Sequence, residues 1–285
     1  MTSTTTYPPA DSAGAIRPTT AIVPMIRDRH GDLSGVSAAI RSEWIKLRSL
    51  RSTRAVLGLT VAIGVLLSWI LATLVKTDPE THEVFTIGQT FIFSTWLSTV
   101  LAIVMGTLLF TSEVQHGTLA NSVAAQPARW VIVASKAVIG GGLGLVMGVV
   151  GMLAGFSGAV LGGLEAGDTS GVLSTAAWGL LLTSLAPMFG LGVGMLIRHS
   201  AAAASTVLVW ALVAENLIRG FGPPKATRFL PFSAANGLLG IHSAGDTPAT
   251  IAAGLPRIQD AFLFSGYTFA AVALGTFLFY RRDTN

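Results

Sequence analysis

The sequence predicts an all-α integral membrane protein with six transmembrane helices. Of its 285 residues, 51% are hydrophobic and only 11% are charged, whereas roughly a quarter of the residues of a soluble globular protein are charged. Six continuous apolar segments each reach the roughly 20 residues that a helix needs to cross a bilayer. In lipid, only a helix or a closed barrel satisfies the hydrogen bonds of the backbone. None of the six segments shows the alternation of a barrel strand, so each is predicted to be a helix.

The chain divides into a short polar tail and a membrane domain. Residues 1–33 are rich in Thr, Pro and Ser, a composition typical of disorder, and we predict a disordered cytoplasmic tail there. Residues 34–285 form the predicted membrane domain. Its spans cover about 55–75, 87–110, 131–161, 172–197, 201–218 and 262–280.

Residues 34–54, just before the first span, form a predicted amphipathic helix. Four apolar residues recur at spacings of four, four and three, which places them on one helical face: Val36, Ile40, Trp44 and Leu47. Arg41 and Arg48 point away from that face. The pattern predicts an elbow helix in the membrane interface, with its apolar side against the acyl chains. A solvated basic linker is the alternative.

Two spans carry signals for helix packing. The third contains small residues four apart, a spacing that lets a neighbouring helix approach closely: Gly140, Gly144 and Gly148, then Gly151 and Gly155. Pro187 in the fourth span predicts a kink or a flexible half.

Lysine and arginine collect on one side of the membrane if the six spans alternate. That side holds Arg27, Arg29, Arg41, Lys46, Arg48, Arg51, Arg54, Arg129, Lys136, Arg198, Arg281 and Arg282. The other side also carries basic residues, but acidic residues there offset their charge. The positive-inside rule therefore predicts a protein of the cell membrane with both termini in the cytoplasm. Although the net charge is +4, the basic residues flank spans, which favours lipid headgroups over nucleic acid as partners.

Residues 111–130, between the second and third spans, form a polar segment longer than a connection requires. The segment opens with Glu113 and continues through His116, Gly117 and Thr118 to a predicted short helix. Gly117 permits a turn that a side chain would obstruct, and Thr118 is expected to cap the helix. A soluble partner could press on such a helix along the membrane surface; an ordinary long loop is the alternative.

A second ordered segment is predicted between the fifth and sixth spans. Leu230-Pro231-Phe232-Ser233 precedes the moderately apolar residues 234–241, which predicts a re-entrant or interfacial helix on the outer side. The sequence leaves two roles open for this helix, a lid over a pathway and a structural cover.

Polar residues within the spans are candidates for transport. The second span is unusually polar, and the residues predicted to line a pathway are Gln89, Ser94, Thr95, Ser98 and Thr99. Proton coupling needs ionisable residues inside spans, and the candidates are Lys136, which lies near a helix start and is able to snorkel, and Glu215. Because neither is central, a proton-coupled secondary transporter is the alternative function and not the first.

No catalytic, cofactor or metal site is predicted in this chain. Cysteine is absent, which excludes thiolate metal sites. The sequence also lacks the G-x-x-x-x-G-K-[ST] loop that binds nucleotide phosphates. The chain is therefore not predicted to be an enzyme.

Several motifs resemble permease subunits of ATP-binding-cassette transporters of the type-2 exporter class, especially small six-span permeases of high-GC Gram-positive bacteria. These motifs are Arg41-Ser42-Glu43-Trp44-Ile45-Lys46-Leu47-Arg48-Ser49, Phe110-Thr111-Ser112-Glu113 with His116-Gly117-Thr118-Leu119, Pro127-Ala128-Arg129-Trp130, and Leu230-Pro231-Phe232. The resemblance covers about residues 34–282. Val114-Gln115 departs from it, since relatives often carry an aromatic and a basic residue there.

The resemblance implies an export permease that works with a separate ATPase subunit, two of each per complex, with a homodimer of permeases. ATP and magnesium would bind to the ATPase and not to this chain. The surface gripped by the ATPase would comprise elbow residues Glu43, Trp44, Lys46 and Arg48 and coupling residues Glu113, His116, Gly117 and Thr118.

Overall fold

The computed structural model describes residues 31–49, 51–77, 87–164, 171–241 and 248–282. Its helices are α1 (Gly31–Ser49), α2 (Arg51–Thr77), α3 (Ile87–Gln115), α4 (Leu119–Ala125), α5 (Arg129–Leu161), α6 (Val172–Ile197), α7 (Ser200–Val209), a π-helical turn (Trp210–Ala214), α8 (Glu215–Phe221), α9 (Pro224–Thr227), α10 (Pro231–Leu239), α11 (Pro248–Ala252) and α12 (Arg257–Arg281). The described residues contain no strand, so the all-α prediction is confirmed.

Six stretches in the described residues are long and apolar enough to span a membrane. They are Thr53–Val75, Phe91–Gln115, Arg129–Leu161, Val172–Ile197, Ser200–Phe221 and Arg257–Arg281. The number of spans is confirmed, and the last one begins earlier than the predicted residue 262. The elbow helix α1 runs from Gly31 to Ser49 and not from 34 to 54. Residues 1–30 of the predicted tail (1–33) lie outside the described residues, and its last three residues begin α1.

One end of the bundle gathers the basic helix termini, and we call it the basic end. There, Arg129 Nη1 donates to the carbonyl of Phe279 at 2.8 Å. Arg282 Nη1 donates to the carbonyl of Leu196 at 3.2 Å. The first contact joins the start of α5 to the end of α12, and the second joins the end of α12 to the end of α6, which is the arrangement that alternating spans require.

Glycines of α5 allow three other spans to pack directly against its backbone. A Cβ atom on Gly144 would lie 2.0 Å from the carbonyl oxygen of Thr183 in α6. On Gly151 it would lie 1.9 Å from Ser98 Oγ in α3, and on Gly158, 2.3 Å from the carbonyl oxygen of Val65 in α2. Because no side chain fits at these positions, the predicted close packing along the third span is confirmed.

Pro187 lies inside α6 at one of these contacts. Proline has no N–H, so it removes the helical hydrogen bond to the carbonyl four residues earlier, which is that of Thr183. The Cα of Gly144 covers this carbonyl, while Gly106 of α3 lies against the carbonyl of Pro187 itself. Pro187 thus lies where one glycine of α3 and one glycine of α5 both contact the backbone of α6.

The predicted outer helix exists as α10, at the end of the bundle opposite the basic end. Its residues Phe232, Ala234 and Leu238 are each at most 3% exposed. The helix packs against Leu182 of α6 and Phe264 of α12. Because a surface helix would leave one face open, this burial shows a helix inserted among the spans.

Candidate functional site

Two glutamates and two lysines form a closed ring of ion pairs at the basic end. Lys46 Nζ lies 2.8 Å from Glu43 Oε1 and 2.8 Å from Glu113 Oε1. Lys136 Nζ lies 2.9 Å from Glu43 Oε2 and 2.8 Å from Glu113 Oε1. We call these four residues the ion-pair ring. The ring joins the elbow helix α1, the second span α3 and the third span α5.

Glu43 reaches the ring because it lies on the face of α1 that packs against the spans. Glu43 lies three residues after Ile40 and four before Leu47, so all three share one helical face. Leu47 is 5% exposed and belongs to a core cluster that Ile40 also contacts. Trp44 is 52% exposed. The prediction that the whole apolar stripe faces the acyl chains is therefore wrong, because Glu43 and Leu47 pack against the spans.

The members of the ring differ sharply in exposure. The side chain of Lys136 is 1% exposed, those of Glu43 and Glu113 are 9% and 10%, and that of Lys46 is 46%. A buried ion costs free energy unless opposite charges and hydrogen bonds compensate it. Lys136 has two carboxylates for this purpose, so it does not snorkel: its ammonium stays inside the protein.

Lys46 is the member of the ring that solvent reaches. Burial acts to lower its pKa, but hydrogen bonds and charge attraction from Glu113 and Glu43 outweigh that effect, so the pKa of Lys46 is raised above its usual value. The charged form of Lys46 is therefore the one that the folded protein stabilises.

The end of α3 is closed by a backbone turn at Gly117. Gly117 has φ +68°, its N–H donates to the carbonyl of Val114 at 3.3 Å, and the N–H of Thr118 donates to that of Glu113 at 3.0 Å. These two bonds form a Schellman motif, which favours glycine at its left-handed position. The turn predicted at Gly117 is present, and its left-handed backbone favours glycine, although an added Cβ would meet nothing within 4 Å.

Thr118 precedes α4 as expected, yet its side chain does not cap that helix. Its backbone is helical, with φ −82° and ψ −10°, whereas a capping residue is usually extended. The Schellman motif imposes this conformation and turns the hydroxyl towards the carbonyl of Glu113, at 3.4 Å. The expected side-chain cap is therefore wrong.

The short helix α4 is linked to both the core and the ring. Leu119 is 5% exposed and belongs to a cluster with Phe110 and Val133. Ser122 Oγ donates to Glu113 Oε2 at 3.4 Å, a long hydrogen bond. The other side of the connection is exposed, at His116, Gly117, Thr118, Ala120, Asn121 and Ala124. A partner could therefore contact α4 while Glu113 contacts its inner side.

The predicted pathway residues of α3 lie between helices within this chain. Ser94, Thr95, Ser98 and Thr99 are each at most 1% exposed. Ser94 Oγ donates to the carbonyl of Gly151 in α5 at 2.6 Å, and the other three donate to carbonyls one turn earlier in α3. The side chain of Gln89 lies outside the described residues. The contacts shown are packing contacts, and a pathway role stays a prediction.

Glu215, the second ionisable candidate, lies at the opposite end of the bundle and is 2% exposed. Its Oε2 accepts hydrogen bonds from Trp210 Nε1 and from the backbone N–H of Phe232, both at 3.1 Å. Its Oε1 accepts one from the N–H of Ser233. The carboxylate thus binds the first turn of α10.

The part of the site that sequence analysis missed is the role of Lys136 together with Glu43. Two signals were available. Glu43 interrupts an apolar stripe, and Lys136 lies within an apolar span, where an ionisable residue requires a partner. Arg48, assigned to the same surface, is exposed and outside the ring.

The chain matches the family model described as "ABC-2 family transporter protein" over residues 39–214, which is more than half of its length. It therefore belongs to this family of multi-pass membrane proteins. The matched region contains the whole ion-pair ring and α4, and it ends just before Glu215. No curated protein matches the chain.

Proposed function

We propose that this chain is the permease subunit of an ATP-binding-cassette exporter, and that the ion-pair ring carries motion from an ATPase subunit into the spans. Family membership and the six spans support the permease class. The observation that carries the coupling role is the position of Glu113. Its carboxylate contacts Lys46 of the elbow helix, Lys136 of the third span and Ser122 of α4.

The proposed motion begins at the exposed side of α4. A force applied there reaches Leu119, which is packed in the core, and the Schellman turn that fixes the end of α3. Separating Glu113 from Lys136 would leave a buried ammonium with fewer partners, a change that costs several kcal/mol. The elbow helix, the second span and the third span therefore respond as one body.

The proposed complex has two copies of this permease and two ATPase subunits, with ATP and magnesium bound in the ATPase. The Lys/Arg distribution supports placing the basic end, and with it both termini of the membrane domain, in the cytoplasm. A cysteine replacing Ala120 should then react with an impermeant maleimide only in permeabilised cells. Labelling of intact cells at that position would reverse the orientation.

A proton-coupled mechanism gains no support from Glu215 and Lys136, the two ionisable residues that the sequence offered for it. Glu215 accepts three N–H bonds that fix a helix terminus, and Lys136 belongs to the ring. Both groups therefore have structural partners that proton transfer would disrupt.

The coupling proposal is tested by recovering the ATPase with the tagged permease. Ala124→Trp adds bulk to the exposed side of α4 and should reduce both the recovered ATPase and its ATP hydrolysis. Ala252→Trp, at an exposed alanine of α11, is the matched control and should change neither. Full recovery and full hydrolysis with Ala124→Trp, in a normally inserted protein, would exclude α4 as the docking element.

A further inference from the structure

One exposed side of α1 combines basic and large apolar side chains. Arg41 and Arg48 are exposed, and between them lie Trp44 and Ile45, which are 52% and 58% exposed. Spacings of three, four and seven residues place all four on one side of a helix. We call these four residues the basic stripe. It lies on a different side of α1 from Glu43, which is buried in the ion-pair ring.

The contacts of α1 place the basic stripe at the level where the spans leave the hydrocarbon. The first span begins at Thr53, five residues after Arg48. The same level is marked by Glu113, which is two residues from the end of the span Phe91–Gln115 and shares Lys46 with Glu43. Lipid headgroups lie immediately outside the hydrocarbon core, so they are the nearest surroundings of the stripe.

The composition of the basic stripe matches an anionic headgroup layer. Neither arginine forms an ion pair with a described residue, so both guanidinium groups are available. A guanidinium binds a phosphate through two parallel hydrogen bonds, and anionic lipids attract basic residues at this level. Tryptophan is enriched at the headgroup level of membranes. A purely aqueous face would leave the apolar surface of Trp44 and Ile45 in water.

We propose that the basic stripe is a binding surface for anionic phospholipids, with a headgroup phosphate on each arginine and the upper acyl chains against Trp44 and Ile45. Arg41 and Arg48 are roughly 10 Å apart along the helix axis, at about 1.5 Å per residue, so they bind two neighbouring lipids. The bound lipids hold the helix whose other side supplies Glu43 to the ring. This inference goes beyond the proposed function and does not depend on an ATPase. It assigns Trp44 and Arg48 to lipid, whereas the family resemblance assigned them to the ATPase.

The test uses the full chain in lipid vesicles and measures which lipid lies beside the basic stripe. Because the chain has no cysteine, Ile45→Cys carries a single bimane fluorophore. Two vesicle preparations contain equal amounts of phosphatidylglycerol and phosphatidylcholine and differ only in which lipid carries bromine, a quencher, on its acyl chains. Brominated phosphatidylglycerol should quench more strongly, with a ratio on the order of fivefold, the effect of about one basic residue at an anionic surface. The same fluorophore at Leu66→Cys, an exposed position within the first span, should be quenched equally by both lipids.

The arginines are tested by two double variants that carry the Ile45→Cys reporter. Arg41→Gln/Arg48→Gln removes both charges and should abolish the difference between the two lipids. Arg41→Lys/Arg48→Lys keeps both charges and should retain most of it. A preference for phosphatidylglycerol that survives the glutamine substitutions would overturn the proposal.

The Ile45→Cys reporter with both arginines present decides the question even if the glutamine variant does not insert. Equal quenching by the two brominated lipids would show that the basic stripe does not select anionic headgroups, and would overturn the proposal. Quenching by neither lipid, with protection of Ile45→Cys from a maleimide when the ATPase subunit is bound, would assign the stripe to the ATPase instead.

Discussion

The two ends of the bundle each bury a glutamate, but they satisfy it differently. Glu113 at the basic end lies between two ammonium groups, those of Lys46 and Lys136. Glu215 at the opposite end accepts hydrogen bonds from N–H groups that carry no net charge. The first arrangement joins side chains of three helices, whereas the second fixes the terminus of one helix.

This difference predicts different mechanical properties. Removing one ion from a buried pair leaves an uncompensated charge and typically costs about 3–5 kcal/mol. Losing a helix cap typically costs about 0.5–2 kcal/mol. The contacts at the basic end should therefore be the harder to separate, and those around Glu215 the easier.

The largest expected effect comes from Lys136→Met. The substitution removes the buried ammonium from between Glu43 and Glu113, so we expect a loss of about 3–5 kcal/mol of stability. Lys46→Met is the matched control: because its side chain is 46% exposed, solvent screens its ion pairs and the loss should be about 1 kcal/mol or less. Thermal unfolding of the purified proteins in detergent measures both.

The same pair of variants can contradict the model of the ring. If both lysine substitutions cost the same free energy, burial does not determine the strength of the ring. A Glu43→Gln/Lys136→Met double variant should lose less than the sum of the single changes, since residues in one ion network couple by about 0.5–3 kcal/mol. Additive losses would show that Glu43 and Lys136 do not interact.

The sequence was sufficient to predict the spans, because each depends on a local property. Long apolar runs predict helices, and the glycine spacing in the third span predicts close contacts, as found at Gly144 and Gly151. The left-handed turn at Gly117 is also a local property. The position of α10 was predicted from its composition, since Pro231 begins a short apolar stretch.

The partners of the charged residues could not be predicted, because they depend on which helix faces meet. Two complete spans separate Glu43 from Lys136 in the sequence, and their 2.9 Å contact exists only after α1 packs against α5. The side-chain cap predicted at Thr118 is absent for a similar reason. The turn that ends α3 determines the backbone conformation of Thr118, and the sequence of α4 does not. Nothing in the sequence around Glu215 indicates that it binds the backbone N–H groups of Phe232 and Ser233 in α10.

The second prediction compares the two left-handed glycines that follow α3 and α10. At Gly117, an added Cβ meets nothing within 4 Å, so Gly117→Ala tests backbone conformation alone and should cost about 1–2 kcal/mol. Gly117→Asn should cost less, because asparagine tolerates this conformation better.

Gly240→Ala should cost the same as Gly117→Ala, or slightly more, because its Cβ would lie 3.0 Å from the flexible end of Arg257. Unfolding midpoints of the three variants measure these differences. Equal losses for alanine and asparagine at Gly117 would show that the turn does not require the left-handed conformation.

The smallest expected effect is the pH dependence of Lys46. Its pKa is raised in the folded protein because the hydrogen bonds and charges of Glu113 and Glu43 outweigh burial. A group whose pKa is raised on folding stabilises the protein fully below its unfolded pKa, about 10.4 for lysine, and this stabilisation is lost as pH rises through the folded value. The difference in unfolding midpoint between wild type and Lys46→Met should therefore stay constant through neutral pH and shrink above about pH 10. Lys46→Arg, which keeps its charge at such pH, should show no such decline relative to Lys46→Met. A difference that grows with pH would mean that Lys46 is held in the ring as a neutral amine.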